Sequence, residues 1–240
     1  NMSTEIATLG EFGLIRRLTE GLENRQPSTR YGIGDDAAVI ARSEGKQTLI
    51  TTDLLLEGVH FDLTYVPLKH LGYKAAVVNF SDIYAMNGTP TQITVSLGVS
   101  KRFSVEDMEA LYAGIRLACE EYEVDIVGGD TTSSMTGLTI SITCLGEAEQ
   151  EQIVYRNGAH DTDLICVSGD LGAAYMGLQL LEREKMVLKG TDLSIQPDFT
   201  GREYLLERQL KPEARRDIIR QLAEEQVKPT AMMDISDGLS

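Results

Sequence analysis

The sequence predicts an α+β protein built as two units, residues 1–150 and 151–240. Two observations carry this. Strand and helix patterns follow one another in mixed order, neither strict βαβ repetition nor a simple meander, so layers of helix and sheet are expected. Near Ile153 the pattern changes: beyond it, few strand signals accompany several helices. A chain of 240 residues with 42% hydrophobic content suits one large domain or two modest ones, each with a core.

The elements follow in order. Glu11 to Leu22 has helical periodicity, with Phe12, Ile15 and Leu18 on one side. Asn24 to Arg30 is a polar connection containing Pro27. Ala37 to Ile40 and Gln47 to Thr52 read as strands joined by a turn at Ser43 to Lys46. Pro67 to Met86 reads as a long helix stopped by Asn87-Gly88. Thr91 to Val99 alternates Ile93, Val95, Leu97 and Val99, the mark of a half-buried strand. Ser104 to Tyr122 is a helix capped by Ser104 with Asp107. Asp125 to Val127 is a short strand, and Leu138 to Leu145 alternates again.

In the second unit Leu164 to Val167 reads as a buried strand and Thr230 to Ile235 as a final short one. Gly172 to Glu184, Arg202 to Leu210 and Glu213 to Gln226 read as helices, and Lys189 to Phe199 as a polar loop. The sequence stops directly after the strand and corner DISDG. Part of the second unit's core is therefore expected to lie outside this chain.

Composition excludes several classes. No run of about 18 apolar residues and no signal-peptide pattern is present, so neither a membrane span nor export is expected. Cys119, Cys144 and Cys166 lie in apolar segments without a CxxC pair, and read as reduced, buried residues of a cytoplasmic protein. A formal net charge of −15 argues against non-specific nucleic-acid binding. The same charge repels anionic substrates at long range, unless bound divalent cations reverse the sign locally.

Aspartates recur in short Gly-, Ser- and Thr-rich corners: Asp35 and Asp36 in GIGDD, Asp53 in TTD, Asp82 in NFSD, Asp130 in GGDTT, Asp234 and Asp237 in DISDG. Such corners supply hard oxygen ligands, and protein-bound Mg²⁺ commonly serves phosphate chemistry. The glycines before Asp36 let backbone approach a ligand. Alternation puts Thr51 and Asp53 on one strand face, with Thr52 between them. Asn79 and Asp82 share a helix face among apolar neighbours, and a buried carboxylate needs a cation, donors, or an ion pair such as one with Lys74. Gly128-Gly129 would let a phosphate reach backbone N–H groups beside Asp130. Asp234 and Asp237 flank Ser236 and can converge; each corner also has a plain structural reading as a cap or turn. His60 in EGVHF has no nucleophile pattern around it, and Arg156 in VYRNG stands beside a turn, within reach of a phosphate if not simply on the surface. No Walker A loop and no protein-kinase motif set is present, so metal ions would have to do more of the charge neutralisation.

The ordered set GEFGLI, GIGDDAAVI, TTDLLLEGVHF, KAAVVNFSDIYAMNGTP, IVGGDTT and DISDGLS resembles bacterial thiamine-monophosphate kinases, within the aminoimidazole ribonucleotide synthetase-like superfamily. The resemblance spans essentially the whole chain. It implies an N-terminal ATP- and Mg-binding domain whose mixed sheet pairs with a second subunit in a shared barrel. An α/β C-terminal domain, incomplete here, would follow. The implied reaction is direct in-line transfer from ATP to thiamine monophosphate, giving thiamine diphosphate, assisted by several Mg²⁺ ions and without acid–base residues. Matched residue by residue, the metal ligands are Asp36, Thr51, Thr52, Asp53, Asp82, Asp130, Asp234 and Asp237. The ATP contacts match Tyr112, Gly129, Asp130, Arg156 and Ser236, Tyr112 more weakly, and the substrate contact matches His60. The implied partners are ATP, thiamine monophosphate and a second copy of the chain, with no nucleic acid or membrane. Family members continue past DISDGL, where further substrate contacts would lie. The alternatives are another ATP-dependent member of the superfamily and a non-catalytic divalent-cation or nucleotide-binding module. The reactive Cys or Sec with Lys expected near the N-terminus of a selenophosphate synthetase is not found.

Overall fold

The computed structural model describes residues 4–35, 37–41, 43–188, 199–236 and 238. Helix α1 (Ile6–Thr19) starts earlier than its periodicity suggested and kinks at Gly10, whose φ is 67°. Strands β1 (Thr29–Tyr31) and β2 (Val39–Ile40) form a small antiparallel ribbon. Then come β3 (Lys46–Leu56), α2 (Leu68–Ala85), β4 (Thr89–Val99), α3 (Val105–Tyr122), β5 (Asp125–Ser133) and β6 (Leu138–Glu149). A 3₁₀ turn at Gln150–Gln152 leads to α4 (Ala173–Leu188), α5 (Glu203–Leu210) and α6 (Arg216–Glu224). No helix among the described residues is long and apolar enough to cross a membrane.

The main sheet has the order β3-β6-β4-β5. The β4–β5 pair is parallel and the others are antiparallel, so the sheet is mixed. Helices α2 and α3 cover one face. Ile93, Val95, Leu97, Ile140, Ile142 and Cys144 point into the core beneath them and are almost fully buried. The other face carries Ile50 and Leu54, 69% and 54% exposed.

Local signals explain most boundaries. Ser104 and Asp107 close a reciprocal capping box on α3, the side chain of each accepting the other's backbone N–H. Asn87 adopts φ 61° and ends the α2 turn, as the Asn-Gly signal predicted. Helices α2 and α3 cross at two glycines. A Cβ at Gly72 would lie 2.0 Å from the Leu111 carbonyl oxygen, and one at Gly114 would lie 1.8 Å from that of Lys69. About two turns further along both helices, Phe80 and Tyr122 meet with ring centroids 5.4 Å apart.

The buried carboxylate of Asp125 ties the N-terminal connection to β5. It accepts hydrogen bonds from the backbone N–H groups of Arg25 (2.6 Å) and Gln26 (2.9 Å) and from the Thr29 hydroxyl (2.7 Å). Gln92 completes the knot by donating to Ser28 and Thr29. The segment of α5 and α6 docks on α2 and α3 through similar polar pins. Tyr122 donates to the Ala214 carbonyl and accepts from its N–H, Lys74 donates to the Gln209 carbonyl, and Arg216 donates to the Glu121 carbonyl.

Several expectations need correction. The ribbon partner of β2 is β1, while β3 pairs with β6 and runs on to Leu56. Strand β5 continues from Val127 through the GGDTT segment to Ser133, because β4 offers it a ladder along that length. Leu164 to Val167 and Thr230 to Ile235 are not strands: no described strand pairs with them, and an apolar run without a ladder gains nothing from extended geometry. Leu164 and Ile165 are 91% and 95% exposed, and Cys166 beside them is exposed rather than buried. The loop expected at Lys189 to Phe199 lies outside the described residues except for Phe199.

The glycine crossing yields a stability prediction. Gly114→Ala sets a methyl against backbone that cannot move aside, and urea unfolding should show a loss of about 3 kcal/mol. An unchanged midpoint would mean that the helices can separate freely.

Candidate functional site

Strand β3 alternates as predicted. Leu49, Thr51, Asp53 and Leu55 face the helical layer, and Ile50, Thr52 and Leu54 face the open side. The Thr51 hydroxyl donates to the Asp82 carboxylate of α2 at 2.6 Å. Asp82 is half-buried, and its charge is felt below. Burial first, and then Asp82, push up the Cys144 thiol opposite Thr51 in the ladder. Next to it on α2, the Ser81 hydroxyl donates to Asp234 at 2.9 Å, so the C-terminal segment is laid against this helix. Lys74 points away to Gln209, and Thr51 is a partner of Asp82.

One turn earlier, Asn79 is fully buried. Its amide donates to the Ala75 carbonyl, while its oxygen accepts no hydrogen bond from the described residues. Thr51, Asp53, Ser81, Asp82 and Asp234 thus gather where β3, α2 and the end of the chain meet. All offer hard oxygen atoms, which fits Mg²⁺ in chemistry. Among the described residues, no three His, Cys, Asp or Glu side chains lie close enough to hold a metal between them. Asp36 and Asp237 lie outside the described residues.

Thr52 stands apart from its neighbours. Its hydroxyl donates to the Ile142 carbonyl and accepts from Thr143 on the open face. Asp130 also lies on that side: it is exposed, paired in register with Ser96, and accepts the N–H of Thr131 at 2.9 Å. Gly129 has a packing reason to be glycine, since a Cβ there would sit 1.9 Å from the Val95 carbonyl oxygen. The ladders set Asp53, Ile142, Val95 and Gly129 in one row across the sheet. Three interstrand steps separate its ends, about 14 Å along the sheet. One cation therefore cannot be ligated directly by Asp53 and Asp130 of the same chain. The β1–β2 ribbon, whose tip carries Asp35, packs beside β5 rather than β3.

His60 is exposed on the turn after β3. Its Nδ1 accepts the Leu56 N–H at 3.0 Å, which leaves the proton on Nε2. Gly58 donates to the Phe61 carbonyl and Val66 to that of Asp62, closing the turn. Arg156 is exposed in a turn that packs against the C-terminal segment: Gly158 lies so near the Thr230 carbonyl that a Cβ would approach it to 2.2 Å. The Thr230 hydroxyl donates to Asp163, and Ser236 is exposed further along. Tyr112 joins neither group. It is 7% exposed in the α3 core, and burial pushes its phenol up to about 12. Sequence reading missed Ser81; the signal was a hydroxyl beside Asp82 in an otherwise apolar stretch.

Comparison with known proteins places this geometry in context. Residues 34–148 match the family "AIR synthase related protein, N-terminal domain". The chain is 35% identical over 232 residues to the thiamine-monophosphate kinase of Bacillus subtilis, covering 97% of this chain and 68% of that protein. It is 38% identical over 231 residues to the Aquifex aeolicus enzyme of the same name, covering 96% and 68%. Among solved structures, AaThiL complexed with AMPPCP and TMP superposes with a TM-score of 0.70 at 36% identity, covering all of this chain and 70% of that one. The hydrogenase maturation protein HypE shares the fold, with a TM-score of 0.63 at 18% identity.

Removing the donor on Asp82 tests the β3–α2 contact. Thr51→Val should cost about 1–2 kcal/mol in thermal denaturation, since it takes a hydrogen bond from a half-buried carboxylate. A melting curve like that of the parent protein would show that Asp82 gains nothing from Thr51.

Proposed function

This chain belongs to the thiamine-monophosphate kinase family, and on that premise we propose that it is a phosphotransferase carrying the γ-phosphoryl group of ATP to the phosphate of thiamine monophosphate. The observation that carries the reading is the Thr51–Asp82 and Ser81–Asp234 junction. It draws family-matched oxygen ligands from three separate parts of the chain to one place. The acceptor is already an anionic phosphate, so transfer needs position and charge neutralisation more than a general base. Asp53, Asp82 and Asp234 would serve separate Mg²⁺ ions near β3 and α2, each with water or phosphate oxygens filling its shell, and Asp130 would serve another at the far strand; Asp36 and Asp237 belong to the same proposed set. When bound, Mg²⁺ would neutralise the phosphate oxygens and offset the chain's own negative charge.

The remaining roles belong to the chain itself. His60, with its proton held on Nε2 by the Leu56 N–H, is a ready donor to the substrate phosphate. Arg156 and Ser236 lie on segments that pack together and would meet ATP from that side, with the backbone of Gly129 beside Asp130 on β5 as a further contact. A homodimer formed through the open sheet face is supported by Ile50 and Leu54, which are exposed among the described residues.

Chromatographic detection of thiamine diphosphate from ATP, Mg²⁺ and thiamine monophosphate tests the activity, and its absence with intact protein would refute it. Asp82→Ala and Asp130→Ala are each expected to lower kcat/KM at least about a hundredfold. Near-parental rates in both would remove the metal reading. Light scattering should give a dimer for the parent protein and a monomer for the double variant Ile50→Lys, Leu54→Lys; a parental monomer would exclude the shared sheet.

A further inference from the structure

The turn between β3 and α2 is gripped from the second unit by an arrangement that the phosphotransfer reading does not use. Two residues of the turn, Asp62 and Tyr65, face two residues of α4, Glu182 and Lys185. The Tyr65 hydroxyl donates to Glu182 at 2.6 Å, and the Lys185 ammonium donates to Asp62. The same ammonium stands 5.8 Å from the centre of the Tyr65 ring. Each pair has i, i+3 spacing, so the four side chains close a square between one turn of chain and one turn of helix. Asp62 also accepts the N–H of Thr64 at 2.9 Å. The Lys185 ammonium, first among its partners, holds the Asp62 carboxyl at about 2, so the Asp62–Lys185 pair stays charged through the neutral range.

The turn also has contacts of its own besides those to α4. Its own hydrogen bonds, from Gly58 to Phe61 and from Val66 to Asp62, close it, and Phe61 and Val66 anchor it in the core. What the square adds is orientation relative to the second unit. His60 stands just before Asp62, with its imidazole fixed to the Leu56 N–H, so any tilt of the turn moves Nε2.

We propose that Lys185 and Glu182 are positioning residues: α4 holds the 57–66 turn and thereby sets where His60 meets the phosphate of thiamine monophosphate. This rests on the reading that His60 contacts that substrate. Lys185 and Asp62 are partly exposed, so the pair contributes little to global stability; its effect is on geometry.

The test uses Lys185→Met, Tyr65→Phe and the conservative Lys185→Arg. Lys185→Met is expected to raise KM for thiamine monophosphate about tenfold while kcat and KM for ATP stay within about twofold. Tyr65→Phe should show a smaller rise in the same constant, and Lys185→Arg should restore most of the parental value. Hydrogen exchange, read on the same proteins without substrate, should quicken at the amides of residues 57–66 in Lys185→Met. An unchanged KM with unchanged exchange overturns the proposal. So does a parallel loss of melting temperature, kcat and both affinities, which would mark a merely structural contact. If the parent protein forms no thiamine diphosphate, the phosphotransfer reading fails. The exchange result still decides whether α4 holds the turn: quickening confined to 57–66 supports the grip, and no change refutes it.

Discussion

Helix α2 can serve the site only because it lies against both α3 and the sheet, and the glycine crossing permits that. Gly72 and Gly114 let the two helix backbones touch, so α2 sits low enough for Ile83 to reach Gly88 and Gly146 at the sheet. With any larger residue at the crossing, α2 would ride higher on its neighbour. Ser81 and Asp82 would then lift away from Asp234 and Thr51. The polar junction is thus a by-product of apolar packing: buried carbon sets the height, and the oxygen atoms come into range as a result.

That dependence explains what could be read from the chain and what could not. The long helices and the alternating strands β4 and β6 were legible because periodicity reports burial on one face. The capping box at Ser104 and the Asn-Gly stop were legible because their chemistry is local. The length of β5 was not, because its extension through Gly128 and Gly129 depends on a β4 partner remote in sequence. The apolar run at Leu164 looked like a strand for the same reason in reverse: composition suggested it, and no ladder received it. Hydrophobic pattern specifies which face is buried, while pairing is decided by the rest of the chain.

The candidate site divides along the same line. Residue types singled out the oxygen-bearing side chains as candidates, and Thr51 with Asp53 shared a face as alternation required. Their grouping was not foreseeable, since it depends on strand order. With β6 and β4 between them, β3 and β5 are opposite edges, and the aspartates of GGDTT and TTD stand apart in one chain. An acidic protein gains from that spacing. Carboxylates dispersed over the width of a sheet repel one another less than a compact cluster would before any cation arrives.

The Asp125 knot has a consequence for the order in which the molecule is made. The groups it binds, from Arg25 to Thr29, are about a hundred residues upstream. During synthesis they leave the ribosome long before their acceptor exists. Until β5 has been built onto β4, nothing satisfies those N–H groups but water, and the ribbon of β1 and β2 has no fixed seat. The corner that carries Asp35 therefore settles only after β5 is in place, although it is among the first parts to be translated.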